Sequence, residues 1–162
     1  MGFGCKYTVS REQNLICICF RILITSLMTV YIMNDQQLFY HQKLQFEIDS
    51  WDLSVALSGG SKIIVIDARS AEAYQKEHIP GALNIPHRTM TESSTAHLDK
   101  DVLVVTYCDG IGCNASTKGA LNMVNLGFNV KELLGGLDWW KRDGHETEGS
   151  GTKGKEPIVC GC

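Results

Sequence analysis

The sequence predicts an α/β fold, a single domain with a mostly parallel central sheet and helices on both faces. Three observations carry this. The runs "KIIVIDAR" (62–69) and "VLVVTYC" (102–108) are almost continuously apolar, as in strands buried on both faces. Helix-like stretches alternate with the strand-like ones, and that alternation is how a parallel sheet is built. The chain has 162 residues, 44% of them hydrophobic and 20% charged, which suits one ordinary domain with its own core.

The elements follow in order. "LQFEI" (44–48) reads as a short first strand. Ser50 is placed to cap a helix "WDLSVAL", and "SGG" (58–60) ends it. "KIIVIDAR" is the next strand, and Ser70 caps "AEAYQKEH" after it. "IPG" (79–81) is a turn, and "ALNIP" a short strand. From His87 to Lys100 the chain is polar and irregular, with room for one helical turn. "VLVVTYC" is the second buried strand. "ASTKGALNMVNLGF" sets Leu121, Val124 and Phe128 at helical spacing, with Gly127 near its end. "VKELLGG" is the last strand and "LDWWKRDG" the last helix, with Trp139 and Trp140 as core or rim aromatics.

The two ends differ from this body. "LICICFRILITSLMTVYIM" (15–33) is long and apolar enough to span a bilayer, although Arg21 opposes insertion. Lys6 and Arg11 precede it, the flank expected of a cytoplasmic side. It has no A-x-A-like cleavage site. Three readings of this N-terminal extension, residues 1–33, stand: a membrane anchor at residues 15–33, a stretch 1–32 upstream of a true start at Met33, or a buried core helix. The folded domain is expected over residues 34–149. Residues 150–162 form a Gly- and charge-rich tail ending in "CGC". The cytoplasm is the expected compartment, with a membrane as partner only if residues 15–33 are an anchor.

Charge and cysteine usage exclude several classes. The net charge is −3, with no basic block, so no nucleic-acid partner is expected. Seven cysteines are present, scattered and odd in number, unlike a disulfide framework. Cys108, Cys113, Cys160 and Cys162 supply a ligand count for zinc, but their spacing is unfamiliar. No metal and no cofactor is expected.

The chemistry gathers at "CDGIGCNAS" (108–116), between a strand and a helix. Ligands of parallel sheets bind at the carboxyl ends of strands. Cys108 ends one strand, and Asp67–Arg69 end another at the same edge. A thiol there meets loop N–H groups and a helix N-terminus, which favour an anion and are expected to lower its pKa. Gly110 and Gly112 permit left-handed backbone in the loop. Asn114 or Ser116 can start the helix beyond it. Arg69 offers positive charge, or else an ion pair that braces the fold. The five histidines are scattered, and none suggests a Cys–His pair.

"VIDARSAEAYQKEHIPGALNIP" resembles the rhodanese-like signature, in which a D-x-R strand end precedes H-I-P-G-A and N-I-P. "VVTYC", "GF" and "LLGGLDWW" resemble its second half. The likeness covers residues 44–149. It implies a rhodanese-like domain in which Cys108 accepts sulfane sulfur as a persulfide and passes it to a thiol or another nucleophile. The implied partners are a small sulfur donor or a protein persulfide, and a thiol acceptor.

The loop departs from the family pattern. The usual glycine three residues after the cysteine is Ile111 here. The loop from Asp109 through Gly110, Ile111, Gly112, Cys113, Asn114 and Ala115 to Ser116 holds an acid and no base. Asp109 is expected to disfavour the thiolate and repel thiosulfate. Cys113 is either a relay or resolving thiol, or a residue that merely packs. A non-catalytic redox-sensing or protein-binding module is the alternative function. A phosphatase or arsenate reductase fits less well. Cysteine phosphatases need an arginine six residues after the nucleophile. Asn114 lies six after Cys108, and Gly119 six after Cys113.

Overall fold

The computed structural model describes residues 33–151. The apolar segment up to residue 32 and the tail from residue 152, with their five cysteines, lie outside the described residues. Among the described residues no helix is long and apolar enough to cross a membrane. The chain separates into two units, Met1–Gln42 and Lys43–Cys162. Helix α1 (Asp35–Phe46) begins in the first and buries none of its side chains.

Among the described residues the second unit holds five strands, all parallel, in the order β1-β5-β4-β2-β3. They are β1 (Glu47–Ile48), β2 (Ile63–Asp67), β3 (Leu83–Asn84), β4 (Leu103–Tyr107) and β5 (Val130–Leu133). Helices α2 (Ser50–Ser58), α3 (Ala71–Lys76), α4 (Glu92–Thr95), α5 (Ala115–Asn125) and α6 (Gly136–Arg142) connect them, with a 3₁₀ turn at His87–Thr89.

The period-two alternation of strands splits the core in two. Val65, Val105 and Tyr107 pack on one face with Leu53 of α2 and with Leu137 and Trp140 of α6. Ile66, Val104 and Cys108 pack on the other with Ala115 and Met123 of α5 and with Phe128. The helices therefore cover both faces of the sheet, as the apolar runs require.

Local signals account for most boundaries. Ser70 caps α3, its hydroxyl accepting from Ala73 N–H at 3.3 Å. Gly81 supplies the left-handed turn of "IPG". Trp140 lies in the core at 5% exposure, while Trp139 sits at the rim.

Three expectations are corrected. Leu44–Phe46 complete α1, and only Glu47 and Ile48 pair with β5. The cap of α2 is Asp49, whose carboxylate accepts from Asp52 N–H at 2.7 Å. Ser50 begins the helix instead, and its hydroxyl donates to Asp143. On α5, Leu121 and Val124 point to solvent, and only Phe128, beyond the helix, is buried. The buried face is Ala115, Ser116, Gly119 and Met123. Small residues let α5 approach the sheet closely, so its inner face reads as polar or featureless in sequence.

Candidate active site

Cys108 follows β4 directly, at the carboxyl end of the sheet. It is 2% exposed. Its Sγ lies 3.1 Å from Ser116 Oγ, and it can donate to the backbone oxygens of Cys113 at 3.0 Å and Gly110 at 3.6 Å. The loop thus turns two carbonyls toward the sulfur as well as the N-terminal turn of α5.

This reverses the expected direction of the thiol's pKa. Burial, the largest influence, pushes Cys108 up. The Ser116 hydroxyl and N–H pull it down, and the neighbouring Cys113 thiol pushes it up again. As a thiol, the sulfur is placed to donate to the two loop carbonyls.

Ser116 is tied further. Its hydroxyl donates to Glu132 Oε1 at 2.7 Å, and Thr117 donates to the same oxygen at 2.8 Å. The Ser116 carbonyl accepts from Thr106 Oγ1 at 3.1 Å. Thr106 and Glu132 are register partners on β4 and β5, facing α5. Sequence reasoning missed Glu132, because only strand register brings it to Ser116, the neighbour of Cys108. The matching face parity of "VLVVTYC" and "VKELL" is the one signal that could have found it.

Arg69 is a brace. It binds the fully buried Asp67 through Nε at 2.9 Å and Nη2 at 2.6 Å, and also the Glu77 carbonyl at 2.6 Å. Its Nη1 reaches Asp109 Oδ1 at 2.7 Å. Burial opposes the guanidinium charge, but its hydrogen bonds to the Asp67 and Asp109 carboxylates overcome this and raise its pKa. Asp109 is therefore a paired acid, and the repulsion expected of it is partly cancelled.

Gly110 and Gly112 do not take the left-handed conformation that the loop was expected to need; Gly135 and Gly136 do. Gly136 marks a close approach, since a Cβ there would sit 2.4 Å from the Cys108 carbonyl. The first turn of α6 binds the loop through Leu137 N–H to the Cys108 carbonyl at 2.9 Å and Asp138 N–H to that of Asp109 at 2.8 Å. Asn114 precedes α5 without a side-chain cap bond, and Ala115 and Ser116 are buried in its first turn.

A cleft of about 510 Å³ opens beside the loop. Asp109, Gly110, Ile111, Gly112 and Cys113 form one wall, and Asp138, Trp139 and Arg142 of α6 the other. Cys113 is half-buried there, while Ile111 is 81% exposed. The structure so brings Cys108, Cys113, Ser116 and Asp109 together at one edge, with Arg69 bound to Asp109.

The rhodanese-like domain family matches residues 52–143. The chain belongs to that family. It is 38% identical over 73 residues to the protein named thiosulfate sulfurtransferase PspE of Escherichia coli, covering 44% of this chain and 68% of that one. It is 34% identical over 83 residues to an HTH-type transcriptional regulator of Mycobacterium tuberculosis, covering 51% of this chain but only 36% of the regulator. A crystal structure of a Bacillus halodurans protein superposes with a TM-score of 0.69 at 42% identity, covering 73% of this chain and 88% of that one. The rhodanese-like fold read from the motifs is thus shown.

Proposed function

We propose that this rhodanese-like protein is a sulfurtransferase that carries sulfane sulfur as a persulfide on Cys108 and delivers it to a thiol. The observation that carries the reading is the seat of Cys108. It lies at the carboxyl end of a central strand, against the first turn of α5, with Ser116 Oγ 3.1 Å from the sulfur. A persulfide anion formed there meets the positive end of an eleven-residue helix. Kinship with a protein named as a sulfurtransferase supports the reaction class.

Loading requires the thiol to lose its proton and the loop to admit a donor, because Cys108 is raised in pKa and 2% exposed. The donor's sulfane sulfur then bonds to Sγ, and the donor's remainder departs with the bonding electrons. Donors include small sulfane compounds and protein persulfides.

Intact mass after incubation with thiosulfate or polysulfide tests this. The native chain should gain one sulfur, and peptide mapping without reductant should place it on Cys108. Cys108→Ser should gain none and lose cyanide-dependent transfer. Loading that persists in Cys108→Ser would move the reactive centre to another thiol.

A further inference from the structure

Two features are left over by a carrier with a single cysteine. The loop cleft is lined by Cys113, not by the nearly inaccessible Cys108. The two cysteines are also neighbours, with Cys108 Sγ 3.0 Å from the Cys113 backbone oxygen. Sulfur bound on Cys108 therefore has as its neighbour a cysteine that lines the open cleft.

The cleft carries charges of both signs. Arg142 spends Nε on Asp138 Oδ2 at 2.9 Å and lies over the Trp139 ring at 5.7 Å. Its side chain is 63% exposed. Across the cleft, Asp109 gives Oδ1 to Arg69 while its side chain is 68% exposed. The cleft thus offers a guanidinium for a carboxylate, a carboxylate for an ammonium, and a thiol. Its volume of about 510 Å³ suits a small molecule.

We propose that sulfur leaves the protein through Cys113, and that the cleft binds a small zwitterionic thiol as acceptor, its carboxylate on Arg142 and its ammonium on Asp109. This rests on the reading of Cys108 as the sulfur carrier. The Cys113 thiolate attacks the outer sulfur of the Cys108 persulfide. The bond between Cys108 Sγ and that sulfur breaks, and Cys108 leaves as a thiolate that takes up the proton Cys113 released. The acceptor thiolate then repeats the step on Cys113. It departs as a persulfide, and Cys113 regains a proton. The sulfane sulfur changes hands twice with no external oxidant or reductant.

The test uses the full chain in two arms. In the first, sulfur-loaded protein is discharged to cysteine, cysteamine, 3-mercaptopropionate and 2-mercaptoethanol at equal thiolate concentration. Cysteine should be fastest by about tenfold or more, a margin two charge contacts supply readily, and its rate should saturate. Arg142→Gln should raise the half-saturating cysteine concentration severalfold with little change in maximal rate. Cys113→Ser should load Cys108 yet discharge to cysteine about tenfold or more slowly. In the second arm, S-methylcysteine should slow iodoacetamide alkylation of Cys113 in the native chain but not in Arg142→Gln. Equal rates for the four thiols, full discharge by Cys113→Ser, absent protection, or release of sulfide with a Cys108–Cys113 disulfide in the first turnover would each overturn the proposal. A chain that takes up no sulfur would refute the carrier reading, and the proposal with it. The protection arm would still show separately whether the cleft binds a zwitterion.

Discussion

One proton decides the state of Cys108. The Ser116 hydroxyl has a single hydrogen and two neighbours, Cys108 Sγ at 3.1 Å and Glu132 Oε1 at 2.7 Å. The shorter contact goes to the carboxylate, and charge-assisted hydrogen bonds are the stronger kind. With the proton shared toward Glu132, Ser116 donates less to a thiolate, and the downward pull of its hydroxyl on Cys108 is weakened. Glu132→Gln weakens the competing acceptor and removes a negative charge near the sulfur. Cys108 should become more acidic. Its alkylation by iodoacetamide at neutral pH should speed up by about tenfold for each pKa unit lost. The midpoint of the pH–rate profile should move down. A midpoint that stays or rises would show that the Ser116–Glu132 couple does not govern the thiol. The position of Cys108 was legible from the strand-end cysteine and the flanking motifs. Its proton balance was not, because burial, carbonyl direction and the Glu132 register are products of the finished fold.

Helix α5 shows the same limit at the scale of an element. Its existence was plain from the run after the loop, but its inner face was not. Apolar spacing favoured Leu121 and Val124, which are 60% and 53% exposed. The buried face instead carries Gly119, where an added Cβ would sit 3.1 Å from Ala68 Cβ and 3.2 Å from Met90 Cε. Closeness selects small residues here, and small residues carry little hydrophobic signal. The strands were easier to read, because β2 and β4 are buried on both faces and show it as unbroken apolar runs. Gly119→Val should destabilise the protein by about 1–3 kcal/mol through overpacking. Replacing a helical glycine returns less than about 1 kcal/mol and does not offset this. Leu121→Ser, on the outer face, should stay within about 0.5 kcal/mol. Denaturant midpoints of the two variants measure the contrast. The reverse order would restore the sequence-based face.

At the scale of the whole molecule, the question is how much chain the fold requires. Both core clusters draw their buried residues from between Leu53 and Trp140. The partly buried residue furthest upstream that packs against them is Ile48 of β1. The sheet ends on that side with β1, whose register with β5 begins at Glu47. Helix α1 buries nothing. The parts that place Cys108, namely β4, β5, α5 and the first turn of α6, all lie downstream of Lys43. A chain beginning at Met33 should therefore fold in one cooperative step, because a single domain of this size unfolds as a unit. It should also take up sulfur on Cys108 as the longer chain does. Coincident thermal transitions by far-ultraviolet dichroism and tryptophan fluorescence, together with the mass increment after sulfur loading, check both parts. Aggregation of the Met33 chain, or transitions that separate between the two probes, would assign the apolar residues 15–32 a place in the folded unit. The membrane-anchor and upstream-start readings of that segment would then both give way.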